Sequence, residues 1–88
     1  MMKNKVLIKL TVIELDQSFD LFIPVNELIW KIKKLIVKSV SDLSGINMNS
    51  GSGHVLMNAE NNTIYNNNEI VIDTDIRNGS ELLLFIRK

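Results

Sequence analysis

Side chains able to do chemistry are few in this sequence of 88 residues, and none belongs to a catalytic set. His54 is the only histidine and cysteine is absent, which excludes a cysteine nucleophile, a thiolate metal site and a pair of imidazole ligands. The place of His54, directly before an apolar run, predicts an ordinary residue at a strand boundary. We therefore expect no bound metal and no cofactor.

Two other stretches contain residues that could form a carboxylate pair or a phosphate-binding loop. Asp73 and Asp75 are close enough in sequence to form a carboxylate pair, but aspartate is also a preferred helix N-cap, which is the more common role. The glycines at 51 and 53 lack the Lys-Ser/Thr pair and the strand-to-helix context of a phosphate-binding loop. The sequence therefore predicts a protein that is not an enzyme.

Composition narrows the class further. The length fits one domain, residues 1–88, and an apolar fraction of 45% can supply one core. A formal net charge of zero argues against nucleic acid as the main partner, because phosphate binding needs an excess of positive charge. No stretch has the ~18 apolar residues of a membrane span or the pattern of a signal peptide, so we expect a cytoplasmic protein without membrane insertion.

The first part of the chain predicts a β-hairpin. Segment 5–13 is rich in β-branched residues and alternates with period two. Turn residues at 16–18 separate it from a second strand, 19–23, which ends at Pro24 because proline cannot donate to a ladder. The predicted inward side chains are Val6, Ile8, Leu10, Val12, Phe19, Leu21 and Ile23.

From Val25 to about Val40 the apolar period becomes that of an α-helix. Asn26 is the predicted N-cap. One broad apolar stripe is expected to pack on the inner face of the sheet, with the lysines in solvent. The predicted stripe is Leu28, Ile29, Ile32, Leu35, Ile36 and Val40, and the lysines are Lys31, Lys33, Lys34 and Lys38.

The second half alternates loops and strands. Residues 39–53 contain small polar residues and three of the four glycines, which predicts a long loop. Short strands are predicted at 54–58 and 63–65, and a last strand at 81–87. The order of a hairpin, one helix and then two or three strands predicts an α+β domain, a β-grasp with a mixed sheet of four or five strands packed on one helix.

Two stretches resemble the ubiquitin family. One runs from Phe19 through Pro24 to Leu35. The other has the pattern Asp-x-x-Ile-x-x-Gly-x-x-Leu, in which the family resemblance implies that Asp73 starts a tight helical turn and Ile76 plugs the core. Within that family the sequence is similar to the YukD/EsaB group, small ubiquitin-like proteins of bacterial type VII secretion systems. The resemblance covers nearly the whole chain except the loop 44–53, which is longer here.

This resemblance implies a non-enzymatic cytoplasmic accessory or regulator of type VII secretion that works through protein contacts. The partners it implies are the cytosolic parts of the secretion machine. Ubiquitin-like proteins that are conjugated need a C-terminal Gly-Gly, whereas this sequence ends Phe85-Ile86-Arg87-Lys88. The resemblance therefore implies a protein that is not conjugated. Two alternatives stay open: a self-associating structural subunit, and an unconjugated ubiquitin-like adaptor of another pathway.

Apolar residues on the outer face of the sheet give the predicted binding patch. Leu83 and Phe85 alternate outward in the last strand, and Leu56 is predicted to do so in the third strand. In ubiquitin relatives the corresponding positions form a partner-binding patch, so the resemblance assigns these three residues to it. Phe22 and Leu7 are predicted to extend the same face. The predicted inward neighbours are Leu82, Leu84, Ile86, Val55 and Met57.

A secondary candidate surface lies on the helix. Trp30 falls off the predicted apolar stripe, close to Lys33 and Lys34. It is either a lid over a lysine stem or part of a second contact site. The patch on the sheet also has an alternative explanation, in which the long loop or a second copy of the chain covers it. Cover by a second copy would make the protein a homodimer.

Overall fold

Four strands and one helix follow one another in the computed structural model, which describes residues 4–48 and 53–87. Two short 3-10 turns, at Ile13–Leu15 and Val71–Asp73, complete the regular structure of these residues. The elements are β1 (Lys5–Val12), β2 (Gln17–Pro24), α1 (Ile29–Ser44), β3 (Val55–Asn58) and β4 (Glu81–Phe85).

The strands form one mixed sheet in the order β2-β1-β4-β3. β1 pairs antiparallel with β2 and parallel with β4, and β4 pairs antiparallel with β3. In sequence, α1 lies between the β1–β2 hairpin and the strands β3 and β4. Its apolar side packs against the inner face of the sheet. The predicted α+β class, one helix on a mixed sheet of four strands, is confirmed. The core residues contributed by the sheet are Ile8, Leu10, Val12, Leu21, Ile23, Leu56, Leu82 and Leu84.

The helix begins later than predicted. Its N-cap is Leu28, which makes no side-chain capping bond, so the assignment of Asn26 as the N-cap is wrong. Residues 25–28 instead form a turn and a bend that end in a β-bridge, and backbone bonds tie them to the segment after residue 69. Val71 donates its N–H to the carbonyl of Glu27, at 3.1 Å, and residues 28 and 70 form a β-bridge. These tertiary backbone bonds outweigh the local capping preference.

The helix also ends later, at Ser44 rather than near Val40, so residues 39–44 are not part of the loop. Gly45 adopts a left-handed conformation with φ 73° and donates its N–H to the carbonyl of Ser41, at 2.9 Å. Glycine tolerates this conformation without steric cost and is the usual residue at a helix C-terminus. The middle of the remaining loop, residues 49–52, lies outside the described residues.

The buried side of α1 is rotated relative to the prediction. Leu35 was expected to be buried, but it is 45% exposed. Lys33, expected in solvent, is only 5% exposed, and Val37, which is not in the predicted stripe, is only 1% exposed. The sequence places apolar residues around more than half of the helix, so the periodicity alone did not fix which edge of the stripe meets the sheet. The buried residues of α1 are Ile29, Ile32, Lys33, Ile36, Val37 and Val40.

The facing of β3 is opposite to the prediction. Leu56 was expected to point outward, yet it is fully buried. It pairs directly with Leu84, a core residue of β4, and directly opposed residues of neighbouring strands share a face of the sheet. Val55 and Met57 therefore point to the outer face. Because three consecutive residues of β3 are apolar, its alternation was ambiguous, and the register with β4 decided it.

Residues 59–80 cross from β3 to β4 and close one side of the core. Ile76 is 2% exposed, as the family resemblance implied. Asp73, however, ends the 3-10 turn rather than capping its start. The hydroxyl of Thr74 makes the local bonds instead: it donates to the carbonyl of Val71 at 2.6 Å and accepts the N–H of Ile76 at 3.2 Å.

Candidate protein-binding surface

The face of the sheet opposite α1 carries a row of side chains that crosses three strands. Cα pairing places Thr11 of β1 beside Leu83 of β4, and Leu83 beside Met57 of β3. An isolated bridge then pairs Met57 with Ile64. Paired residues present their side chains on the same face, so the row runs from a polar residue into three apolar ones.

A second pair lies along the same strands, where Val55 is opposite Phe85. Together the five apolar residues Val55, Met57, Ile64, Leu83 and Phe85 form one contiguous group, here called the sheet-face patch. Ile64 is 60% exposed, and the other four are partly exposed. A contiguous apolar surface of this kind is typical of a protein–protein contact when polar groups surround it.

Polar residues of β1, β2 and β4 border the patch. Beside Leu83, the hydroxyls of Thr11 on β1 and Ser18 on β2 are hydrogen-bonded to each other at 2.9 Å. Lys9 and Glu81 are paired across β1 and β4 one row further along. An apolar centre with a polar border is the usual anatomy of a protein interface.

The structure brings together two of the three residues predicted for this patch. Leu83 and Phe85 belong to it, whereas Leu56 lies in the core on the other side of the sheet, so that assignment is wrong. The prediction missed Met57 and Val55, which take the place of Leu56 on β3. Residues 55–57 are all apolar, so β3 is apolar on both faces and its sequence does not indicate which face is buried. Only its register with β4 shows that Val55 and Met57 point outward.

Phe22 and Leu7 are paired across β1 and β2 on the same outer face, and Phe22 is 52% exposed. They were expected to extend the patch. The polar row formed by Asp20, Lys9 and Glu81 separates them from it. They form a distinct apolar corner, which makes Phe22 a useful control position.

Two side chains hold the backbone after β4. The amide of Ile86 donates to Oε1 of Glu14 at 3.0 Å, and the amide of Arg87 donates to Nδ1 of His54 at 2.9 Å. His54 is only 2% exposed, so its position at the strand boundary is as predicted, but its imidazole serves as a buried acceptor. These bonds keep the end of β4, and with it Phe85, aligned beside β3.

Asp75 organises the crossing segment through its hydrogen bonds. Its carboxylate accepts hydrogen bonds from the Tyr65 hydroxyl and from the side-chain amides of Asn61 and Asn58, at 3.0 and 3.4 Å for the amides. The Tyr65 bond first, and then the Asn61 bond, lowers the pKa of Asp75. Burial first, and then the bond to Asp75, raises the pKa of Tyr65. Asp73 is exposed and takes no part in this network.

The secondary surface on the helix is only partly as predicted. Lys34 is exposed and its ammonium lies 5.3 Å from the centroid of the Trp30 ring. Lys33 is buried on the other side, where Nζ donates to Oδ1 of Asn67 at 2.7 Å, and desolvation lowers its pKa. Lys33 therefore ties α1 to the segment at 67 and is removed from the candidate surface.

Within residues 4–48 and 53–87, no three His, Cys, Asp or Glu residues are arranged to hold a metal. The same residues include no helix that is both long and apolar enough to cross a bilayer. The described surface offers contact chemistry in the form of apolar side chains and lysines.

Sequence comparison finds neither a family model nor a curated protein that matches this chain. Structural comparison does find matches. The N-terminal ubiquitin-like domain of the 4931431F19Rik protein aligns with 97% of this chain and 77% of its own, with a TM-score of 0.69 at 16% sequence identity. The chain has a ubiquitin-like fold.

The same ubiquitin-like fold occurs in proteins with different roles. A chain of the toluene 4-monooxygenase HD complex matches over 94% of this chain and 99% of its own, with a TM-score of 0.75 but 2% identity. A chain of the ESX-5 inner membrane complex matches over 96% of this chain, with a TM-score of 0.69 and 11% identity. This chain spans only 21% of that ESX-5 chain. At these identities the likeness concerns the fold alone.

Proposed function

We propose that this ubiquitin-like domain is a non-enzymatic protein-binding module and that the sheet-face patch is its principal contact surface. The observation that carries the proposal is the contiguous apolar group on β3 and β4, bordered by polar residues, on the sheet face that the helix leaves uncovered. Complete burial of a side chain of this size contributes ~1.5–3 kcal/mol, and aromatic residues such as Phe85 are frequent hot spots.

The setting we propose is bacterial type VII secretion, with the protein as an accessory or regulator in the cytoplasm. Two observations support it: the resemblance of the hairpin, helix and late turn to the YukD/EsaB group, and the match of the fold to part of a chain in the ESX-5 inner membrane complex. The partner would then be a cytosolic portion of such a machine, bound without covalent conjugation.

The test compares three forms of the protein as bait in lysate of the native host, with captured proteins identified by mass spectrometry. They are the wild type, the double variant Leu83→Ala/Phe85→Ala, and the control Phe22→Ala in the separate apolar corner. We expect the wild type and the control to enrich the same proteins, including components of the secretion machine, and the folded double variant to lose them. Full retention of all partners by the double variant would move the working surface elsewhere.

Self-association through the same patch is distinguished by mass in solution. Sedimentation equilibrium over a range of concentrations should give a monomer for all three forms if the patch serves another protein. A dimer of the wild type that the double variant dissociates would favour the self-associating structural subunit. Partners without any secretion component would favour an adaptor of another pathway.

A further inference from the structure

The solvent side of α1 carries three lysines at intervals of about one turn. Lys31, Lys34 and Lys38 surround a shallow groove of about 310 Å³, which Leu35 and Glu27 also line. These five residues are here called the lysine groove. The three lysines and Leu35 are exposed, and the groove lies on the outer side of α1, away from the sheet.

The positive charge of the groove is poorly compensated. Among the described residues Lys31 has one carboxylate partner, Glu27, at 3.7 Å, and both side chains are well exposed, so the pair is weak. Lys34 and Lys38 have no carboxylate within ion-pair distance in the same part of the chain. Like charges one turn apart on a helix repel each other and destabilise it.

The aromatic ring of Trp30 holds two of these cations at one border of the groove. Nζ of Lys31 and Nζ of Lys34 lie 5.5 and 5.3 Å from the ring centroid. Cation–π contacts of this length restrict the lysine side chains. Leu35 remains 45% exposed, so the groove combines an accessible apolar side chain with ammonium groups.

We propose that the lysine groove binds an acidic segment of a partner protein, in which carboxylates spaced one helical turn apart flank an apolar side chain. The carboxylates would pair with Lys34 and Lys38, and the apolar side chain would cover Leu35. A flat anionic membrane fits less well, because Leu35 lies among the lysine side chains rather than beyond them. A nucleic acid fits less well because the chain has no net positive charge.

This site is independent of the sheet-face patch. The helix packs on one face of the sheet and the patch lies on the other, so the two surfaces point in opposite directions and can be occupied together. Failure of one proposal therefore leaves the other to be judged by its own variants.

The probe is a synthetic peptide with glutamates one helical turn apart around a leucine, and the matched control peptide has glutamine at each glutamate. Binding is followed by amide chemical shifts in NMR and by the fluorescence of Trp30, the only tryptophan. We expect shifts along the outer side of α1 with the acidic peptide only, and an affinity that falls as salt is added.

Two variants test the residues. Lys34→Gln/Lys38→Gln should weaken binding ~10-fold or more while the circular dichroism spectrum is unchanged, because both side chains are exposed. The matched control is Lys9→Gln, an exposed lysine on the outer face of the sheet, which should bind like the wild type. Leu83→Ala/Phe85→Ala should also bind normally.

Several results would overturn the inference. One is equal affinity of the wild type and Lys34→Gln/Lys38→Gln for the acidic peptide. Another is the absence of binding, or shifts that map to the sheet-face patch. A third is tighter, lysine-dependent binding to vesicles that contain phosphatidylserine, which would assign the groove to a membrane surface instead.

Discussion

Leu56 and Leu83 provide a direct test of how β3 faces the sheet. They lie on neighbouring strands and differ in side: Leu56 is fully buried against the helix side, and Leu83 is partly exposed on the outer face. Leu56→Ala and Leu83→Ala make the same chemical change in the two environments. Any difference in stability therefore reports the facing of the strand rather than the chemistry of the substitution.

The expected magnitude follows from burial. Replacing leucine by alanine removes hydrocarbon worth about 0.8 kcal/mol per carbon, and the cavity left behind raises the total for a buried leucine to about 2–5 kcal/mol. A domain of this size has a total stability of roughly 4–13 kcal/mol. Leu56→Ala should therefore lower the melting temperature by roughly 10–25 °C, whereas Leu83→Ala should cost about 1 kcal/mol or less.

Thermal and urea unfolding followed by circular dichroism measure both variants under the same conditions. The midpoint and slope in urea separate a change of stability from a change in the denatured state. Equal losses in the two variants would refute the reasoning, and a larger loss in Leu83→Ala would restore the opposite facing of β3. The latter result would also remove Leu83 from the sheet-face patch.

Three further predictions concern the core, the hydrogen-bond network and the chain end. Ile32→Ala, at a fully buried position of α1, should lower the free energy of unfolding in urea by about 2–5 kcal/mol; an unchanged midpoint would contradict the helix facing. Asp75 has a lowered pKa because of the Tyr65 bond, so its stabilisation is present above the unfolded pKa of about 3.9 and is lost as pH falls through the folded pKa. Asp75→Asn should flatten the acid limb of the stability–pH curve, and an unaltered acid limb would argue against this network. His54→Ala should accelerate hydrogen exchange at the Arg87 amide while the central amides of β4 stay protected; equal exchange in both proteins would show that this bond does not order the chain end.

The fold followed from local sequence patterns to a large extent. The period-two segments gave β1 and β2 with the correct inner faces, and Pro24 marks the end of β2 as its chemistry requires. The late turn with Ile76 in the core was also anticipated from the family pattern. Each of these features depends on residue types whose preferences are strong and local.

Boundaries and facings depended on contacts between distant parts of the chain. Asn26 has the chemistry of an N-cap, but backbone bonds to residues 69–72 hold the stretch around it outside the helix, which starts at Ile29. Lys33 has the chemistry of a surface residue, but its side chain is buried and its ammonium donates a hydrogen bond to the side-chain oxygen of Asn67. Neither partner is adjacent in sequence, so no local pattern indicates the pairing.

The sequence by itself determined the class of surface that this protein offers: apolar residues beyond the needs of one core, and lysines along one helix. The tertiary structure alone decided which apolar residues form the sheet-face patch. The pairing of Leu56 with Leu84 turned Val55 and Met57 outward, beside Leu83 and Phe85. The physical reason is that a strand with apolar residues on both faces has no preferred side until its hydrogen-bond register with a neighbour is set.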